Sequence, residues 1–229
     1  MPRSLSPRPG GKTRGAPQQS QLPREIVDEL NRSTKPTAIR DAVSRLSRAI
    51  ELLERGDAHA ATAEALKAKS LSPRSAAVRE VLGLALYGDE RWQEAVTELK
   101  AYKRMTGRVD QNHVIADALR ALGKPAEAVP LAEDELRDKG VPPEAKAEAV
   151  IVAGSALADQ GRFAEALAFM SRAKTRRDVA EEYTLRLWYA RGDILARAGR
   201  RREAAEEFGK IVRHEPAAFD AAERLAELS

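Results

Sequence analysis

The chain has 229 residues, 43% of them hydrophobic but only 4% aromatic, and a formal net charge of +4. Its apolar residues are mostly alanine and leucine, which favour helices and leave little from which to build a sheet. The absence of cysteine excludes disulfides, thiol nucleophiles and cysteine-based zinc or redox sites.

The positive charge is local. Residues 1–24 carry Arg3, Arg8, Lys12, Arg14 and Arg24 and no acidic residue, while residues 25–229 hold 34 basic and 35 acidic residues. Five prolines and three glycines break up residues 1–23, which read as a disordered basic tail. No signal-peptide core precedes the body. The most apolar run, Ala147 to Ala158, spans 12 residues and contains Glu148, too short for a membrane span. A cytoplasmic protein with no membrane association is expected, and a cysteine-free chain fits a reducing compartment.

Residues 24–31 form a short amphipathic helix presenting Ile26, Val27 and Leu30. Ser33 or Thr34 can cap the next helix, with Pro36 in its first turn. Helix pairs then follow at about 37–54 and 58–71, 75–88 and 91–105, 109–122 and 125–138, 143–160 and 163–175, and 180–198 and 201–213. Gly56, Gly123, Gly161 and Gly199 mark turns between paired helices, and Gly107, Gly140, Pro73 and Pro216 mark stops. Pro130 lies beyond the first turn expected for its helix, so a kink or a late start is predicted there. A stretch from Ala217 to Leu228 caps the end.

Ala61, Ala95, Ala128, Ala166 and Ala204 recur at intervals of 34, 33, 38 and 38 residues. Each marks a place where two helices must approach closely. The second pair also has Leu82-Gly83, Leu86 and Leu99; the fourth has Ala153-Gly154, Leu157, Met170 and Ala173; the fifth has Trp188, Gly192, Leu195, Phe208 and Pro216. The first keeps Ala49, Leu52, Ala65, Ala68 and Pro73, and the third keeps Ile115-Ala116, Leu119 and Ala132.

These residues resemble the tetratricopeptide repeat, with its pattern W-x2-L-G-x2-Y, A-x3-F and P over about 34 residues. The chain is also similar to alanine- and arginine-rich repeat proteins of high-GC bacteria. The resemblance implies an all-α, right-handed superhelical solenoid of about five helix pairs, with repeats at about 42–75, 76–108, 109–142, 147–180 and 185–216 and a cap at 217–229. The 38-residue intervals imply extra length before the fourth and fifth pairs. No pair buries enough surface to be stable alone.

No catalytic grouping stands out. His59, His113 and His214 are scattered, and Gly10-Gly11-Lys12-Thr13 lacks the rest of a phosphate loop. Asp89-Glu90 and Glu181-Glu182 read as helix-start acids suited to the positive helix end. No cofactor or metal is expected, and a non-catalytic scaffold binding a protein or peptide is.

In the family, first helices line a concave groove. The residues this places there are Glu80, Leu84, Tyr87, His113, Asp117 and Arg120, then Glu148, Ile151, Ser155, Asp159, Arg186, Tyr189, Asp193 and Arg197. The alternative is a solvated face of local ion pairs, such as Asp117 with Arg120 and Asp193 with Arg197. The positions of the family's carboxylate clamp hold Leu46, Ile50, Glu80 and His113, so that clamp is not expected. Val43, Leu46, Ile50 and Leu53 form an apolar surplus on the first pair, to be covered by the 24–31 helix or by a partner. Lys174, Arg176, Arg177, Arg200, Arg201 and Arg202 form a candidate basic patch. With the tail, that patch supports an alternative association with nucleic acid or the ribosome through backbone contacts.

Overall fold

The computed structural model describes residues 22–173 and 182–228. Every regular element among these residues is helical. The predicted tail, apart from Leu22 and Pro23, lies outside the described residues, as do Lys174, Arg176, Arg177 and Glu181. The chain divides into two compact units, the first ending at Arg108 and the second beginning at Val109.

The first unit contains α1 (Arg24–Ser33), α2 (Ile39–Glu54), α3 (Ala58–Leu71), α4 (Ala76–Gly88) and α5 (Trp92–Thr106). Helices α2 and α3 form one pair and α4 and α5 the next, with α3 also packed on α4. Asp57 starts α3 by accepting a hydrogen bond from the Ala60 N–H at 3.0 Å, and Ser75 starts α4 by accepting one from Val78 at 3.2 Å. Thr34 does not cap the second helix as expected. It ends α1, and its buried hydroxyl pairs with that of Ser72, while a 3-10 turn at Pro36–Ala38 leads into α2.

The second unit contains α6 (Asn112–Ala121), α7 (Ala128–Arg137), α8 (Pro143–Asp159), α9 (Phe163–Met170), α10 (Glu182–Arg197), α11 (Arg201–His214) and α12 (Ala221–Leu228). First helices α6, α8 and α10 touch in sequence, and α7, α9 and α11 pack against them. This explains the apolar run of α8: the helix is enclosed by α6, α7, α9 and α10, and ten of its residues are buried. Pro130 resolves as a late start. A 3-10 turn spans Pro125–Glu127, and α7 begins at Ala128, so Pro130 is its third residue, where a missing N–H breaks no helical bond. Helix α9 ends at Met170, five residues short of the predicted 175.

All five phase-setting alanines are completely buried. The cause is visible at the paired glycines. A Cβ on Gly83 would lie 2.6 Å from the Leu99 side chain, one on Gly154 2.6 Å from Met170 Cγ, and one on Gly192 3.0 Å from the Phe208 ring. Each glycine thus admits the large residue four positions beyond the repeat's alanine, and Leu99, Met170 and Phe208 are buried as a result.

The turn inside each pair is built alike. Five residues before the alanine, the backbone enters the left-handed region: Gly56 at φ +78°, Gly123 at +74°, Gly161 at +74° and Gly199 at +75°. The second repeat places Glu90 there, at φ +59°. Asp89 is the C-cap of α4 and lies 3.1 Å from His59 Nδ1, so this acidic pair forms the turn, and Asp89 caps the preceding helix rather than opening the next.

Candidate functional site

In the first unit, the predicted face falls on α4. Glu80 and Leu84 are half-buried there. Tyr87 is buried, its ring edge-on to Trp92 at 5.2 Å between centroids, which makes it part of the repeat's core. Leu46 on α2 is fully buried, while Val43, Ile50 and Leu53 are half-buried. Helix α1 packs on α2 and α4 and buries Leu30 completely.

The second unit brings most of the remaining candidates together. Arg120 on α6 reaches Asp117 in its own helix at 2.5 Å and Asp159 on α8 at 2.9 and 3.0 Å. The other oxygen of Asp159 accepts from Arg197 on α10 at 3.1 Å, and Arg197 also lies 3.7 Å from Asp193. Asp193 in turn accepts from Arg224 on α12 at 3.0 Å. The result is a line of alternating charge, Asp117–Arg120–Asp159–Arg197–Asp193–Arg224, crossing one first helix after another. A second crossing lies nearby, where Arg186 on α10 holds Glu148 on α8 through two bonds of 2.7 and 2.8 Å. Such bidentate pairs fix geometry as well as charge. On α8, Ser155 is half-buried and Ile151 is buried.

The two local pairs expected from helical spacing are present, and the inter-helix pairs are additional. Their signal was in the sequence: Glu148 and Arg186, Asp159 and Arg197, and Arg120 and Asp159 are opposite charges 38 or 39 residues apart, one repeat length. Arg224 and Asp220 had no such signal, because they lie in the terminal segment.

Tyr189 is covered. Its ring contacts Phe208 and Phe219 at 5.5 and 5.1 Å, and its hydroxyl donates to Asp220 at 2.6 Å. Burial first, and then the Asp220 carboxylate, push this phenol up to about 12. The expected pair of open tyrosines is therefore replaced by two buried rings, each packed by an aromatic residue of its own unit.

His113 is the second residue of α6 and meets a completely buried carboxylate. Glu135 on α7 accepts from the His113 backbone N–H at 2.7 Å and lies 2.8 Å from its Nδ1. Burial raises the Glu135 carboxyl above its ordinary value despite the opposing His113 bonds. Asn112 beside it donates to the Leu131 carbonyl at 2.9 Å and to Asp134 at 3.3 Å. These contacts join α6 to α7, so His113 belongs to the helix start rather than to the charged line.

Of the predicted basic patch, the described members sit at the start of α11. Arg200 makes two bonds of 2.6 Å to Glu203, and Arg201 donates to the Glu227 carbonyl at 2.7 Å; Arg202 is exposed. Arg200 repeats an arrangement seen at Arg91 with Glu94 and at Arg162 with Glu165, always at the N-cap of a second helix. It is a turn device of the repeat. Hydrogen bonding to Arg200 holds the Glu203 carboxyl below its ordinary range.

Among the described residues, no group of three or more His, Asp or Glu side chains converges to hold a metal ion, and no helix is long and apolar enough to cross a membrane.

A family model described as tetratricopeptide repeat matches residues 46–108, 113–180 and 189–229. No curated protein gives a significant match. Among solved structures, a thermophilic tetratricopeptide repeat protein of Thermus thermophilus aligns with a TM-score of 0.65 at 19% identity, covering 82% of this chain and 98% of that one. YrrB, described as a tetratricopeptide repeat protein with an unusual peptide-binding site, aligns with a TM-score of 0.55 at 22% identity, covering 82% and 95%. At these identities the structural likeness speaks for the fold, and the matched repeats speak for the family: the chain belongs to the tetratricopeptide repeat family.

Proposed function

We propose that the chain is a non-catalytic scaffold that binds a partner protein or peptide on its first-helix face, and that it works in the cytoplasm, where a cysteine-free chain is at home. The observation that carries this reading is the charged line across α6, α8, α10 and α12. Inter-helix pairs hold a polar surface in fixed positions, and a pre-ordered surface loses less entropy on binding. Repeat families use their stacked faces as extended binding surfaces, and a fold neighbour carries a peptide-binding site. In the second unit the candidate contacts are Asp117, Arg120, Ser155, Asp159, Asp193 and Arg197, with the buried Arg186 holding Glu148 beside them; the first unit offers Glu80 and Leu84 on α4 as candidates of its own. Tyr87, Tyr189 and His113 act as supports beneath or beside that face.

The nucleic-acid alternative is weaker on Arg200 and Arg201, which already serve Glu203 and the Glu227 carbonyl. The separating experiment is co-purification from the native cell with nuclease treatment, comparing the full chain with one lacking residues 1–21. The cut spares Leu22, which is buried. A protein partner retained by both chains after nuclease supports the scaffold. RNA retained by the full chain alone, and lost steeply with added salt, overturns it.

A further inference from the structure

Helix α1 packs on the same two helices as α3 but buries far less of itself against them. Its packing partners are α2 and α4, the first helices of two successive repeats. One side chain of α1, Leu30, is fully buried, with Ile26 and Val27 half-buried beside it. By contrast, α3 buries Ala61, Thr62, Ala65 and Ala68. No side chain caps the start of α1. A helix of 10 residues has little stability of its own and depends on what it packs against.

Its polar anchor is equally specific. Glu29 reaches the start of α4, where one carboxylate oxygen accepts from the Ala76 N–H at 2.8 Å and the other from the Ser75 hydroxyl at 2.7 Å. The positive end of α4 and two aligned donors make this a seat for a carboxylate. The seat is filled from another helix, 46 and 47 residues away in sequence. An apolar patch that takes a leucine, with a carboxylate seat beside it, is the chemistry of helix-in-groove recognition.

We propose that α1 is a resident ligand of the α2–α4 face, and that a partner protein replaces it with a short amphipathic helix carrying an acidic residue immediately before its buried leucine, as Glu29 precedes Leu30. This rests on the scaffold reading and adds the partner's chemistry and its regulation. The face is closed while α1 is docked. Apparent affinity is then the intrinsic affinity multiplied by the fraction of time α1 is away, so whatever loosens α1 raises it.

Two measurements on the full chain test it. Hydrogen exchange should show the amides of α1 opening at least tenfold faster than those of α2, with Glu29→Gln accelerating α1 by a further factor of about ten and leaving α2 unchanged. The second uses a fluorescent synthetic peptide of residues 22–34. It should bind the Glu29→Gln/Leu30→Ala chain at least tenfold more tightly than the wild-type chain, and the same peptide carrying Glu29→Gln should bind about tenfold more weakly. Exchange of α1 and α2 as one unit, or no gain in peptide binding by a variant whose α2 exchange is normal, overturns the proposal and makes α1 a permanent cap. Neither result touches the scaffold reading, since the probe is the chain's own segment.

Discussion

The turn at Glu90 offers a test of the repeat geometry in which backbone strain is isolated. Four of the five turns carry glycine in the left-handed region, and the second carries Glu90 at φ +59° with its side chain exposed. An L-residue in this conformation costs about 1–2 kcal/mol. Replacing it by glycine removes that cost but frees the unfolded chain, which returns roughly 0.4–1 kcal/mol. Glu90→Gly should therefore stabilise the protein by about 0.5–1 kcal/mol, raising Tm by about 2–4 °C per kcal/mol at this chain length. Gly161→Ala is the converse. No atom lies within 4 Å of a Cβ added there, so packing contributes nothing and the backbone term stands alone. The same balance with its sign reversed should destabilise the protein by about 0.5–1 kcal/mol. Both are read by thermal and urea unfolding followed by circular dichroism. A neutral or destabilising Glu90→Gly together with a harmless Gly161→Ala would refute the shared left-handed turn.

Other outcomes follow from single contacts. Gly83→Ala and Gly154→Ala should each cost about 1–3 kcal/mol in urea unfolding through overpacking, and Gly192→Ala less, because its added Cβ meets Phe208 at 3.0 Å rather than 2.6 Å. Glu135 has a folded value raised above its ordinary 4.5, so its contribution to stability is complete below pH 4.5 and is lost as pH rises through the folded value. Glu135→Gln lacks that loss, and urea midpoints of the two proteins should shift in its favour as pH rises from 4.5; a gap that stays constant would count against the buried carboxylate. Tyr189 is raised from 10.0 to about 12, so its contribution is complete below pH 10 and disappears as pH rises through 12. Alkaline absorbance titration should show a late phenol step that Tyr189→Phe removes, leaving the earlier steps unaltered.

The fold was legible because small residues recur where helices touch. Ala61, Ala95, Ala128, Ala166 and Ala204 gave the phase, and all five are fully buried. Pro130 was legible as a disturbance, and its position as the third residue of α7 shows which kind. Glu90 hid a turn that glycine announced in the other repeats. The candidate face was only partly legible. Helical register puts Tyr87 and Tyr189 on first helices, but it says nothing of Trp92, or of Phe219, which reaches Tyr189 from a residue at φ +56°. Register within one helix also finds Asp117 with Arg120, whereas Arg120 with Asp159 needs the stacking of α6 on α8. Thr34 looked like a cap by position, yet the chain turns at Pro36 and sends its hydroxyl to Ser72.

The most direct test of the scaffold reading compares two charge reversals on opposite sides of the second unit's helix pairs. Asp159→Arg alters the centre of the charged line on the first-helix face, and Arg202→Glu alters an exposed residue at the start of α11. Each chain is immobilised, offered native-cell extract treated with nuclease, and the captured proteins are quantified against wild type, after unfolding curves confirm that both variants fold. A scaffold that works through the charged line has a partner that Asp159→Arg loses and Arg202→Glu retains. Loss with Arg202→Glu and retention with Asp159→Arg would contradict it.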